Sequence, residues 1–228
     1  MKALLKTSNL EFLKQIKKHN NRDWFNAHKA RYLTELSDVE NFADALLWEM
    51  NKHDVLETKS GKKSLHRIYR DIRFSKDKIP YKTNWSGSFK RAGKERRGSY
   101  YFHIAPGNTF VAGGFWGPEP EDLKRIREEL AYDATPLRKI LKSKKFTQTF
   151  GTLIGDMVKT TPKGFDADNK AIDLLRYKQF ILLKKFNDKD VLSPSFIKKV
   201  SETFHEMRPF LNYMSEVLTT DVNGISLI

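Results

Sequence analysis

The chain has 228 residues, 42 Lys+Arg against 28 Asp+Glu, and a formal net charge of +14. With 39% hydrophobic residues, 31% charged residues and sixteen Phe, it has the composition of a folded globular protein rather than a disordered one. It contains no cysteine, which excludes disulfides, thiolate nucleophiles and Cys-based zinc sites.

At the N-terminus, Met1 to Leu13 carries Lys2, Lys6 and Glu11 and lacks the apolar core of a signal peptide. No apolar run approaches the roughly 20 residues of a membrane helix, so a soluble, cytoplasmic protein without membrane association is expected. Ser8-Asn9-Leu10-Glu11 has the spacing of a capping box, and Leu10, Leu13 and Ile16 follow at helical intervals. This helix is expected to stop at His19-Asn20-Asn21. A long helix is predicted from Asp23 to Met50, because Phe25, Tyr32, Leu36, Val39, Ala43, Leu46 and Met50 fall on one stripe.

Thr58 to Ser64 reads as a loop. Arg67 to Phe74 is rich in β-favouring residues and predicts a strand or a strand entering a loop, and Pro80 and Gly87 interrupt the stretch after it. Ser99 to Ile104 and Thr109 to Trp116 predict adjacent strands joined by the turn Ala105-Pro106-Gly107-Asn108. Gly113-Gly114 marks a bulge or a close backbone approach in that hairpin. Helices are predicted from Pro120, from Thr135, near Ala171 to Tyr177, and from Ser193 through Met214. Pro162 to Asp166 reads as a loop, and Gln179 to Phe186 as a further strand. The fold class expected is α+β, a small mainly antiparallel sheet packed with several helices. No linker or composition break divides residues 1–228, which are expected to form a single domain.

Charge singles out one region. Between Lys59 and Arg97 there are 14 Lys+Arg against three acids, a net +11, which leaves +3 for the rest of the chain. Such a concentration favours phosphate-bearing ligands or polyanions. If Arg67 to Phe74 is extended, Arg67, Tyr69, Asp71 and Arg73 share one face. A carboxylate there can orient a guanidinium while leaving N–H groups for a ligand. Arg67, Arg70, Arg73, Lys78, Tyr81 and Lys82 are therefore the anion-binding candidates, supported by Asp71 and Asp77. Ser75 and Lys78 match an S-x-x-K spacing, but it does not open a helix.

Arg22, Trp24 and His28 sit at the start of the predicted long helix, where free N–H groups favour an anion; the alternative is a capped helix with packed side chains. Tyr101 and His103 share one strand face, and His103 is the first candidate for a general acid or base, with Asp71 beside it. The six His (19, 28, 53, 66, 103, 205) show no metal-ligand spacing. There is no GxxxxGK[ST] or GxGxxG, and no cofactor or oligomeric state is indicated.

The series Arg67-x-x-Arg70-Asp71-x-Arg73-Phe74-Ser75-x-Asp77-Lys78-x-Pro80-Tyr81-Lys82 resembles the signature of a widespread bacterial family of about this chain's length, catalogued only as a domain of unknown function. Asn20 to Phe25 with His28 and Tyr32, Tyr100-Tyr101 with His103, Gly113-Gly114 through Pro120, and Pro162 to Asp166 resemble it too. The resemblance implies one full-length domain and no particular activity. Three readings stay open: an enzyme acting on a small anionic substrate, a non-enzymatic module for nucleic acid or another phosphate-rich partner, and an adaptor using exposed Trp85 and Trp116.

Overall fold

A computed structural model describes residues 4–221 and 224–228. In chain order its elements are α1 (Thr7–Lys18), α2 (Arg22–Ala27), α3 (Lys29–Met50), α4 (Gly61–Ser64), β1 (Trp85–Lys90), β2 (Ser99–Ile104), β3 (Thr109–Phe115), α5 (Pro120–Tyr132), α6 (Thr135–Lys142), α7 (Lys144–Phe150), α8 (Ile172–Leu175), β4 (Phe180–Phe186), α9 (Asp188–Val191) and α10 (Phe196–Thr219). The four strands form one antiparallel sheet in the order β1-β2-β3-β4. The α+β class is therefore as expected.

The chain forms two compact units. The first comprises residues 1–89, 101–111 and 185–202, the second residues 90–100, 112–184 and 203–228. In the first, α1 and α3 bury Leu10, Phe12, Ile16, Val39, Phe42 and Leu46, and Phe102 from β2 meets Phe42 edge-on at 5.6 Å. In the second, Phe180 and Leu182 of β4, Ile126 and Leu130 of α5, and Phe204, Met207 and Phe210 of α10 are fully buried. Burial of this kind stabilises by about 25 cal/mol per Å² removed from water.

Several elements depart from their sequence-based expectation, each for a local reason. The predicted helix from Asp23 to Met50 is broken at His28, where φ is −109° and ψ 17°. There the imidazole stacks on Trp24 at 4.1 Å, and its Nδ1 lies 2.8 Å from the Trp24 carbonyl oxygen, which also accepts the His28 backbone N–H at 3.1 Å. The capping box is shifted as well. Asn9 Oδ1 accepts the Lys6 N–H at 2.6 Å, while Ser8 Oγ donates instead to Glu35 on α3 at 2.9 Å.

Residues 67–74 form no strand. Only an isolated bridge between Tyr69 and Tyr81, with Arg70 N–H donating to Pro80 at 2.9 Å and Lys82 N–H to Ile68 at 2.7 Å, joins the two limbs of a loop. Side chains take over the backbone beyond it: Asp71 accepts the Arg73 N–H at 3.2 Å and Asp77 the Ile79 N–H at 3.0 Å. Such local bonds compete with a ladder.

Gly87, expected to interrupt, lies inside β1. A Cβ there would come within 2.7 Å of the Phe102 ring and 2.9 Å of the Ser64 carbonyl oxygen, so the strand requires glycine. Gly114 fulfils the close approach expected of it, with φ +127° and the Phe180 carbonyl oxygen where a Cβ would stand. Trp85 is buried, its Nε1 donating to the Asn9 carbonyl at 3.2 Å, whereas Trp116 is exposed. The adaptor reading loses one of its two tryptophans.

Candidate functional site

The first unit carries the charged loop expected from the sequence, and two bonds fix where it sits. Asn20, just past the end of α1, donates from Nδ2 to the Tyr81 carbonyl at 3.0 Å, and its Oδ1 accepts the Tyr81 N–H at 3.0 Å. The side-chain amide thus pairs with the Tyr81 peptide as a neighbouring strand would. The Tyr81 ring is buried and stacks on Phe25 at 4.1 Å. Apolar packing therefore anchors the returning limb of the loop, and Lys82 follows directly.

A cleft of about 510 Å³ opens beside this anchor. Its charged walls are Lys17 from the last turn of α1, Arg70 and Asp77 from the loop, and Lys82; Asn84, Ser86 and Tyr101 add neutral polar groups. Arg70 Nη1 donates to Asp77 Oδ2 at 2.9 Å. That bond, then the Ile79 N–H, holds the Asp77 carboxyl below its usual pKa. No ion pair is formed by Lys17 or Lys82 among the described residues. Partial burial, followed by the charge of Arg67, lowers the pKa of Lys82, as expected where cations face one another without a counter-ion.

His66 also lines the cleft. Ser88 Oγ lies 3.0 Å from its Nε2 and Ser86 Oγ 3.5 Å from its Nδ1. Its pKa is lowered, first by desolvation at the wall and then by Lys82.

A second, smaller cleft of about 330 Å³ lies on the other side of Arg70, lined by Arg22, Asn26, Tyr69, Ile72, Pro80 and Tyr81. Arg70 and Tyr81 thus contribute to both.

The remaining candidates are placed elsewhere. Arg73 is exposed and forms a two-pronged bond to Asp71, Nε to Oδ1 at 3.0 Å and Nη2 to Oδ2 at 2.7 Å, which lowers the Asp71 pKa. Lys78 is exposed and donates to the Ile72 carbonyl at 3.0 Å. Arg67 is exposed and acts on the cleft through its charge on Lys82. His103 lies on the outer face of β2, stacked on Phe110 at 4.6 Å and 3.1 Å from the Tyr101 hydroxyl. Burial lowers its pKa, and it does not line either cleft.

At α2, Asn21 Oδ1 accepts the Trp24 N–H at 2.9 Å, so a side chain occupies that helix start. Trp24 and His28 stack on each other and line neither cleft. The structure therefore brings together Arg70, Asp77, Tyr81, Lys82 and Tyr101 from the expected set, and adds Lys17, Asn20 and His66. His66 directly precedes the charged motif, and that adjacency was its only signal.

Among the described residues no cluster of three or more His, Asp or Glu is arranged for a metal ion, and no helix is long and apolar enough to cross a membrane. No curated protein and no solved structure matched this chain. A family model does match, over residues 8–213, and the span includes every residue of both clefts. The chain belongs to the family described as conserved hypothetical protein (DUF2461).

Proposed function

We propose that the protein binds a small phosphate-type anion in the cleft between Lys17, Arg70 and Lys82, and that the ligand is its substrate or its signal. One observation carries the reading. Three cations, one from the end of α1 and one from each limb of the loop, line one cleft with Asp77 as their sole charged counterweight, which leaves two positive charges when His66 is neutral. A tetrahedral anion with several oxygens suits such a spread arrangement, whereas a planar carboxylate is satisfied by one guanidinium fork. Asp77 positions Arg70 without neutralising the site.

Nucleic acid is the second reading. It rests on Phe74, 94% exposed at the loop tip, with the Arg73 guanidinium 5.7 Å from its ring. An aromatic and a cation displayed together suit base stacking.

Calorimetric titration with inorganic phosphate and sulfate at low ionic strength tests the proposal. Lys82→Met and Arg70→Met should each weaken binding about tenfold or more, since hydrogen bonds to charged groups contribute about 1.5–3 kcal/mol. Phe74→Ala should leave it unchanged. Equal affinity in all three variants overturns the cleft. Loss only in Phe74→Ala, measured with a single-stranded oligonucleotide, supports the second reading instead.

A further inference from the structure

We infer that the cleft takes up its anion together with one proton, and that His66 is the group that accepts it; the inference rests on the anion reading above. The geometry around the ring supports both protonation states. Each nitrogen faces a serine hydroxyl, Ser88 Oγ at 3.0 Å from Nε2 and Ser86 Oγ at 3.5 Å from Nδ1. A hydroxyl donates or accepts according to its rotation, so protonating the ring requires one hydroxyl to turn, the one that donated to the unprotonated nitrogen, and no movement of the backbone.

Asp77 is the one counter-charge that the cleft walls supply. The groups facing His66 are the two serines of β1, the Tyr101 ring of β2 at 5.8 Å, Lys82, and across the cleft Lys17, Arg70 and Asp77. The only carboxylate in that set is already bonded to Arg70. Desolvation and then the Lys82 charge both disfavour imidazolium, so without a bound anion the ring holds its proton less readily than a free imidazole. An arriving dianion offsets the two excess positive charges of the cleft and raises the affinity of His66 for a proton.

His103 provides an internal contrast. Its pKa is lowered by burial alone, it is held by Tyr101 and Phe110, and it lies outside the cleft. Set behind Tyr101, it should respond to the anion less than His66 does.

The linkage has a definite sign. Between the free and liganded pKa values of His66, binding takes up a proton, so affinity rises as pH falls, by up to about tenfold per unit. Below the free pKa the ring is already protonated, and the gain stops.

Sulfate is the probe of choice because it stays dianionic throughout this range, whereas phosphate titrates itself. Titration of the full chain with sulfate between about pH 5.5 and 8.5, in buffers of different ionisation heat, should give an uptake near one proton. The His66 ring resonance should titrate at higher pH when sulfate is present, and the His103 resonance should shift less. His66→Gln and His66→Asn should abolish the uptake and flatten the pH profile.

Binding without proton uptake, uptake that survives both substitutions, or a His66 titration indifferent to sulfate each overturns the inference and leaves the anion cleft standing. No binding of sulfate or phosphate at any pH overturns both.

Discussion

Replacing Asn20 by alanine removes both bonds that hold the Tyr81 peptide, 3.0 Å in each direction. Each is worth about 1 kcal/mol net, and the two sites are only partly buried, so water recovers part of the loss. The expected cost is about 1–2 kcal/mol. For a chain of this size that lowers the melting temperature by about 2–8 °C. Asn20→Asp should cost at least as much, because a carboxylate accepts the Tyr81 N–H but faces the Tyr81 carbonyl with a second acceptor. The Tyr81 ring stays on Phe25 in both variants, so the loop is loosened at its root rather than released. Sulfate affinity should fall as well, since Lys82 is the next residue. Urea denaturation followed by circular dichroism gives the stability, and hydrogen exchange at the Tyr81 amide reports the local effect. An unchanged exchange rate and midpoint in Asn20→Ala would refute the view that Asn20 anchors the cleft.

Gly114→Ala should destabilise by more than about 2 kcal/mol, because it combines φ +127° with a clash against the Phe180 carbonyl; a drop in melting temperature measures it. Phe74→Ala should alter stability by less than about 0.5 kcal/mol, since the ring is 94% exposed. Acid should destabilise the fold in two stages. His66 and His103 have lowered folded-state values, so the unfolded chain binds their protons first and stability falls as pH drops through about 6.5. Asp71 and Asp77, also lowered, lose their contribution only below about pH 4. Urea midpoints at pH 7.5, 5.5 and 3.5 distinguish the stages, and His103→Phe should reduce the first.

Period and turn chemistry made much of the fold legible. The hairpin of β2 and β3 follows from alternation, with Tyr100, Phe102 and Ile104 buried and Tyr101 and His103 on the other face, and from its Pro-Gly turn. Helices α1, α5 and α6 follow from their stripes and starting residues. What stayed hidden was set by side chains acting at a distance along the chain. Nothing near Gly87 announces that the Phe102 ring will fill the space of its Cβ. His28 interrupts a continuous helical stripe, with its ring stacked on Trp24 and bonded to the Trp24 carbonyl. Residues 67–74 have β-favouring composition, but Pro80 and the two aspartates divert their backbone partners.

The site was legible in the same uneven way. Arg70, Asp77 and Lys82, nominated by charge density, line one cleft. Arg73, nominated with them, pairs with Asp71 and lines neither cleft. Lys17 belongs to the end of α1, 53 positions before Arg70 in the chain, and the Asn20–Tyr81 clamp ties that end to the loop. His66 gains its meaning from two serines on a strand that the sequence did not predict.

On the proposed function, one anion sits between Lys17, Arg70 and Lys82. Selenate has the shape and charge of sulfate and an anomalous signal that locates it in a crystal. Crystals grown free of sulfate and phosphate and soaked in selenate should show an anomalous peak within hydrogen-bond reach of Lys82 Nζ and the Arg70 guanidinium, absent in Lys82→Met. An empty cleft in wild-type crystals, with selenate bound at Arg67, Arg73 or elsewhere on the surface, would contradict the account.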